Sequence, residues 1–167
     1  MARQARAELT RDAVLNGAAE VFLRLGYANA SLIDIMTQAN VTKGALYFHF
    51  GSKEELARAV VDLGNERLRA ACAGLLEPTV PALEAAIGIS YLVADLATRD
   101  PMVAAMFNLS RQIGNFQGTN EENIVVRWLD GHAALAKRAI DEGDLLPDLD
   151  AASVSRIWIE MTSGVRA

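Results

Sequence analysis

Between Glu8 and Leu25 the apolar residues Val14, Ala18, Val21, Phe22 and Leu25 recur at offsets of three and four, which predicts an amphipathic helix with one apolar stripe. Gly26 is placed to stop it. The pair Asn16-Gly17 marks a turn in a strand context, but inside an unbroken helical pattern it reads as a weak point of the helix. Ser31, three residues before Asp34, opens a short second helix bearing Leu32, Ile35, Met36 and Ala39, which Asn40 ends. Thr42 can cap a third helix from Lys43 to about His49. Ser52 and Glu55 then form a capping box for a long fourth helix with Leu56, Val60, Leu63, Leu68 and Leu75, closed by Pro78 and Pro81. Leu83, Ala86, Ile87, Tyr91, Ala94 and Leu96 continue at helical spacing. Residues 101–113 read as a helix, Asn115 to Asn120 as a polar loop and Glu121 to Glu142 as a helix that Gly143 stops. Asp150 can cap a last helix with Val154, Ile157, Trp158 and Met161, and its abrupt end at Ala167 leads us to expect a chain truncated at the C-terminus. No segment alternates with period two, so the expected fold class is all-α.

Composition narrows the functional classes. The chain has 167 residues, 51% hydrophobic and 22% charged, with four prolines, as expected of a folded globular protein. A single cysteine, Cys72, and only two histidines, His49 and His132, leave no Cys/His cluster at metal-ligand spacing, so neither a metal nor a cofactor is expected. No apolar run is long enough to span a membrane and no secretory h-region follows the N-terminus, so the expectation is a soluble, cytoplasmic protein without a membrane partner. There is no Gly-x-Ser-x-Gly elbow, no His/Asp/Glu cluster and no phosphate-cradling glycine loop, which argues against an enzyme. The formal charge of -5 and pI near 5.0 speak on their face against nucleic acid.

The first three helices, with the second and third joined by a tight turn, have the plan of a helix-turn-helix module. The stretch Val41-Thr42-Lys43-Gly44-Ala45-Leu46-Tyr47-Phe48-His49-Phe50, followed by Gly51-Ser52-Lys53-Glu54-Glu55-Leu56, resembles the tetracycline-repressor (TetR) family of transcriptional regulators. Phe22, Gly26, Tyr27, Ile35, Ala39 and Val41 also stand where that pattern expects them. The resemblance covers Thr10 to about Leu63 closely and implies a DNA-binding domain at 1–52 and a helical ligand-binding and dimerisation domain at 53–167. The residue chemistry agrees. Thr42 and Lys43 offer a hydroxyl and a cation, and Gly44 has no side chain to block approach to DNA. Tyr47 and His49 can donate to phosphates, Lys53 can add another contact, and Ser31 and Leu32 are candidates for the backbone. Packing alone is the competing reading of Tyr47 and His49, while Phe48 and Phe50 are expected in the core. Arg3 and Arg6 belong either to a disordered tail or to a flexible arm reaching the minor groove.

In that family a small molecule releases the operator by changing the separation of the two readers of a dimer. The implied partners are a roughly palindromic double-stranded DNA, a small-molecule effector and a second copy of the chain. The Met1-Ala2-Arg3-Gln4 start and the Lys43–Phe50 stretch look like the γ-butyrolactone receptor branch. That branch also places a tryptophan near Trp128, which otherwise reads as core. Trp128 could stack on a flat apolar ligand, a γ-butyrolactone-like signal by the resemblance, and Met106, Phe107, Ile124 and Thr162 are the other wall candidates, the last because a hydroxyl on an otherwise apolar helix could fix a polar ligand group. Gly64 stands where the branch often has glutamine, which keeps a butenolide, a furan or a drug-like effector open, as well as a ligand-blind pseudo-receptor; a protein-binding helical adaptor leaves Thr42-Lys43-Gly44 unexplained. The acidity is unevenly placed: residues 1–58 carry seven Lys/Arg against six Asp/Glu, and 59–167 carry nine against fifteen. The reader half is therefore near neutral, and few phosphate contacts per subunit are expected.

Overall fold

A computed structural model describes the backbone of residues 2–112 and 124–164, and the side chains of 4–112 and 128–161. The described residues form helices α1 (Ala2–Asn29), α2 (Leu32–Ala39), α3 (Lys43–His49), α4 (Lys53–Cys72), α5 (Ala82–Arg99), α6 (Pro101–Gln112), α7 (Ile124–Glu142) and α8 (Ala151–Gly164), with a 3-10 turn at Ala73–Leu76. No strand occurs among them. The expected loop at Asn115–Asn120 and the start of the seventh helix at Glu121 lie outside the described residues.

The contacts divide the chain into one unit of Met1–Leu68 with Ala97–Gly114, and a second of Arg69–Leu96 with Asn115–Ala167. The first unit contains α1 to α3, most of α4, and α6. Its core is the predicted α1 stripe (Val14, Ala18, Val21, Phe22) with Leu15, joined by Ile35, Leu46, Phe50, Leu56, Val60, Met102, Met106 and Leu109, all buried. Burying such side chains contributes about 1.5–3 kcal/mol each before chain entropy is counted.

Gly26 interrupts α1 at φ 72 and ψ 164, a left-handed value that favours glycine, and the chain then resumes one helical turn to Asn29. At Gly17 α1 continues without a break, as the helical pattern implies, and the glycine has a packing role that its neighbour Asn16 does not signal. A Cβ at Gly17 would stand 2.9 Å from both the Cβ and the backbone nitrogen of Ala39, so the missing side chain is what lets α2 lie against α1. Gly64 does the same for α4 and α6, with an added Cβ falling 2.6 Å from Met106 Cβ and 2.8 Å from the Met102 carbonyl oxygen.

The second unit contains α5, α7 and α8. Gly143, at φ 87, ends α7, and the Asp150 carboxylate accepts the Ser153 N–H at 2.9 Å to open α8. Glu142 accepts the Ala82 N–H at 2.7 Å, satisfying a first-turn donor of α5 that its own helix cannot reach. Ser155, fully buried, donates to the Leu129 carbonyl at 2.7 Å and ties α8 to α7. The buried stripe of α5 is Ala82, Ala85, Ala86, Ile89 and Val93. The larger residues Ile87 and Tyr91 point outward, because the small residues allow close packing on the opposite face.

Two predictions follow from these packings. Gly64→Ala should destabilise the protein by about 1–3 kcal/mol through overpacking. Gly131→Ala, at an exposed helical position with nothing within 4 Å, should stabilise it by roughly 0.5–1 kcal/mol. Denaturant midpoints with unchanged slopes would establish both, and a destabilised Gly131→Ala or a neutral Gly64→Ala would refute the packing account. The second concerns acid. The Ser31 hydroxyl and N–H hold the Asp34 carboxyl below the ordinary aspartate value, the Ala82 N–H and then Arg138 lower Glu142, and the Ser153 hydroxyl and N–H lower Asp150. A carboxyl lowered by folding stabilises the native state above its unfolded value, near pH 4, and that contribution disappears as pH falls through the folded value. Carbon-detected NMR titration should therefore find Asp34 titrating low, and Ser31→Ala should move it back up. An Asp34 value unmoved by that substitution would contradict the assignment.

Candidate nucleic-acid interface

The α2–α3 pair is built by local chemistry. Ser31 and Asp34 form a reciprocal capping box: the Asp34 N–H donates to Ser31 Oγ at 3.2 Å, and the Ser31 N–H donates to Asp34 Oδ2 at 3.0 Å. At the other end of α2, Asn40 takes the left-handed conformation (φ 52, ψ 48), with its N–H directed at the Thr37 carbonyl and that of Val41 at the Met36 carbonyl. This paired pattern turns the chain in three residues, with asparagine in the place where glycine is commonest. Thr42 Oγ1 then accepts the Ala45 N–H at 3.3 Å and opens α3.

Leu46 and Phe50 fix the inner face of α3, both buried. Lys43 and Tyr47, one turn apart, share the outer side, with the Lys43 ammonium 5.8 Å from the centre of the Tyr47 ring. Gly44 has nothing near its missing Cβ and is open to solvent. Phe48 corrects an expectation. It is 78% exposed rather than in the core, because it lies two residues from both Leu46 and Phe50, on the opposite side of a helix with 3.6 residues per turn. Its ring meets the half-buried His49 edge-on at 5.0 Å. The outer surface of α3 thus presents Lys43, Gly44, Tyr47 and Phe48 together, and Phe48 is the member that the sequence reading assigned to the core. The helical angle between Leu46 and Phe48 was the signal available.

The other predicted contacts are placed differently. Ser31 is exposed and Leu32 half-buried at the start of α2. Lys53 donates to the carbonyls of Tyr27 and Ala30 at 2.8 and 2.9 Å, and its ammonium lies 4.4 Å from the centre of the Tyr27 ring. It joins the start of α4 to the end of α1. Arg3 and Arg6 lie on the helical backbone of α1, which replaces the expected flexible arm or tail; the side chain of Arg3 is outside the described residues.

The predicted ligand residues are divided. Met106 is fully buried in the first unit against Gly64, and Phe107 is half-buried beside it on α6. Trp128 belongs to the second unit, half-buried, with its carbonyl 2.8 Å from Nδ1 of the buried His132 and the two rings 5.5 Å apart. The side chains of Ile124 and Thr162 lie outside the described residues. A separate apolar groove of about 370 Å³ runs between α5 and α8, lined by Leu83, Ala86, Ile87, Ser90, Tyr91, Ala94, Trp158 and Met161. Among the predicted ligand residues with described side chains, Met106, Phe107 and Trp128, none lines it. Among the described residues, no group of three His, Cys, Asp or Glu is placed to hold a metal ion, and no helix is long and apolar enough to cross a membrane.

Comparison with known proteins places this arrangement. Residues 14–60 match the model of bacterial regulatory proteins of the tetR family. The A-factor receptor protein of Streptomyces griseus is 30% identical over 166 residues, covering 99% of this chain, which spans 57% of that protein's length. A crystal structure of a γ-butyrolactone receptor (ArpA-like protein) superposes with a TM-score of 0.84 at 29% identity, covering 95% of this chain and 83% of the other. The TetR family protein CprB of Streptomyces coelicolor, solved in complex with its biological operator sequence, is 30% identical with a TM-score of 0.80, covering 91% of this chain and 75% of CprB. With the capped α2–α3 pair and the outward face of α3 in place, these similarities make the chain a member of the TetR family of bacterial regulators, with close resemblance to its γ-butyrolactone receptor branch.

Proposed function

We propose that the chain is a ligand-responsive transcriptional repressor that binds a roughly palindromic operator as a homodimer and leaves it on binding a small-molecule signal. The observation that carries the reading is the α3 surface of Lys43, Gly44, Tyr47 and Phe48, outward-facing on a tightly turned helix pair. In this reading α3 enters the major groove. Lys43 and Tyr47 donate to phosphates, with Thr42, Ser31 and His49 at the edges of the same surface and Leu32 packing near the backbone. Gly44 allows close approach, and Phe48 meets an apolar feature such as a thymine methyl group. Lys53 has most of its donor capacity committed to Tyr27 and Ala30, so its contribution is mainly to hold α1 to α4. Arg6, and Arg3 with it, act from the helical start of α1 rather than from an arm. DNA readers occupy residues 1–52 and the regulatory part residues 53–167. A single reader makes few base contacts, and two half-sites about 34 Å apart per helical turn supply the needed specificity. The effector must bind better to the state whose readers no longer match that spacing.

The effector in this reading is a γ-butyrolactone-like molecule meeting Trp128, with Ile124 and Thr162 of the same unit as further walls, while Met106 is taken up by packing on Gly64 in the other unit. The A-factor and ArpA-like receptors support this class. Gly64 favours a variant ligand: Met106 and the Met102 carbonyl crowd that position, so no glutamine fits there without displacing α6. A butenolide or furan signal is the second reading.

The DNA claim is tested by selecting duplexes from a random pool with the parent chain and measuring mobility shifts. Lys43→Ala and Tyr47→Ala should each weaken binding about tenfold, the weight of one charge-assisted contact, with melting unchanged. Lys43→Ala should also lower the slope of log K against log salt by about one per subunit. Variants that bind like the parent would overturn the assignment. The effector claim is tested in a Trp158→Phe background, in which Trp128 is the remaining tryptophan. Its emission should change on titration with γ-butyrolactones or butenolides over the concentrations that release the selected duplex. A Trp128→Ala chain that is released with full affinity would refute the pocket.

A further inference from the structure

The segment that carries α2 out of α1 is held at both faces of a single residue. The Tyr27 N–H donates to Oε1 of Gln112, the last residue of α6, at 2.8 Å, and the Tyr27 carbonyl accepts from Lys53 of α4 at 2.8 Å. Gly26, with its left-handed backbone, leaves room for the Gln112 amide: a Cβ there would lie 3.3 Å from Oε1 and 3.6 Å from Nε2. Three residues later Ala30, buried and also bonded to Lys53, leads into Ser31 and the α2 capping box.

Gln112 is the end of a fixed strut. Asp100 caps the start of α6, accepting the Met102 N–H at 2.8 Å, and is paired with Arg67 of α4 at 3.1 Å. Midway, Met106 lies against Gly64, and Leu109 is buried in the same core. A strut held along its length presents its last side chain at a defined height above the break in α1. A hydrogen bond to backbone at that break then selects one direction for the chain leaving it.

We infer that Gln112 is a positioning residue for DNA recognition: by accepting the Tyr27 N–H it sets the angle at which the α2–α3 reader leaves α1. This rests on the reading of α3 as a DNA reader. Loss of the acceptor releases the Tyr27 N–H from α6 and spreads the reader over several orientations, so affinity falls by the fraction no longer poised to bind. The expected loss is about three- to tenfold, the range of one intramolecular hydrogen bond.

The test compares Gln112→Leu, of similar size without an acceptor, with Gln112→Glu, which keeps one. Two readouts apply: mobility shift with the duplex selected by the parent chain, and amide hydrogen exchange at Tyr27 followed by NMR. Gln112→Leu should bind about three- to tenfold more weakly and show faster exchange at Tyr27, with exchange in the core of α4 unchanged. Gln112→Glu should restore both. Parent-like binding by Gln112→Leu, or equal loss in Gln112→Glu, would overturn the proposal while leaving the DNA reading intact. A parent chain that selects no duplex would overturn the DNA reading and this proposal with it. Exchange at Tyr27 that is the same in all three chains would refute the contact itself.

Discussion

The break in α1 at Gly26 is the constraint on which the reader depends. A continuous helix from Ala2 to Asn29 would carry Ser31 off along the α1 axis. The left-handed glycine instead redirects the last turn, and the polar groups it exposes are taken up by Gln112 from α6 and Lys53 from α4. Hydrogen bonds between helices specify geometry better than apolar contact alone, since each has a narrow range of distance and angle. Glycine is needed at that point twice over, for its backbone conformation and for the room its missing side chain leaves to the Gln112 amide.

The same economy of side chains recurs where helices meet. Gly17 admits Ala39, and Gly64 admits Met106 and the Met102 carbonyl. At both points the absent side chain lets two helices approach closely. The second unit is held by polar ties at helix ends and crossings, Glu142 to Ala82 and Ser155 to Leu129, and leaves the larger apolar residues of α5 facing a groove.

Much of this was legible in the chain because the signals are local. Ser31 with Asp34, Thr42, Ser52 and Asp150 act within one turn of their own helices, so their spacing alone locates four helix starts. Asn40 and Gly143 mark two ends for the same reason. Glu55 shows the limit: its backbone N–H bonds Ser52 as the spacing implies, but its carboxylate reaches Gly51 rather than closing the box on Ser52 itself. Long-range features left little trace. Gln112 and Tyr27 are 85 residues apart, and nothing near either marks the other. Gly17 was read from its neighbour Asn16, whereas its role comes from Ala39 on another helix. On α5 the predicted stripe was Leu83, Ala86, Ile87, Tyr91, Ala94 and Leu96, of which Ala86 is buried, while the core face is turned toward Ala82, Ala85, Ile89 and Val93. Phe48 was misplaced by reliance on hydrophobicity, against the helical angle that sets it opposite Leu46. Of the pocket candidates only Trp128 was supported by resemblance, and Met106 and Trp128 belong to different units.

The central claim is that the outer face of α3 meets DNA, and proximity cleavage tests it most directly. Gly44→Cys, at an exposed position with no neighbour near its Cβ, can carry an iron chelate, while the native Cys72 is buried. Bound to the duplex that the parent chain selects, the Gly44 conjugate should cut both strands within the major groove of each half-site, and the same chelate at Met161 of α8 should not cut. Absence of cleavage from position 44, or cleavage from position 161 in its place, would contradict the account.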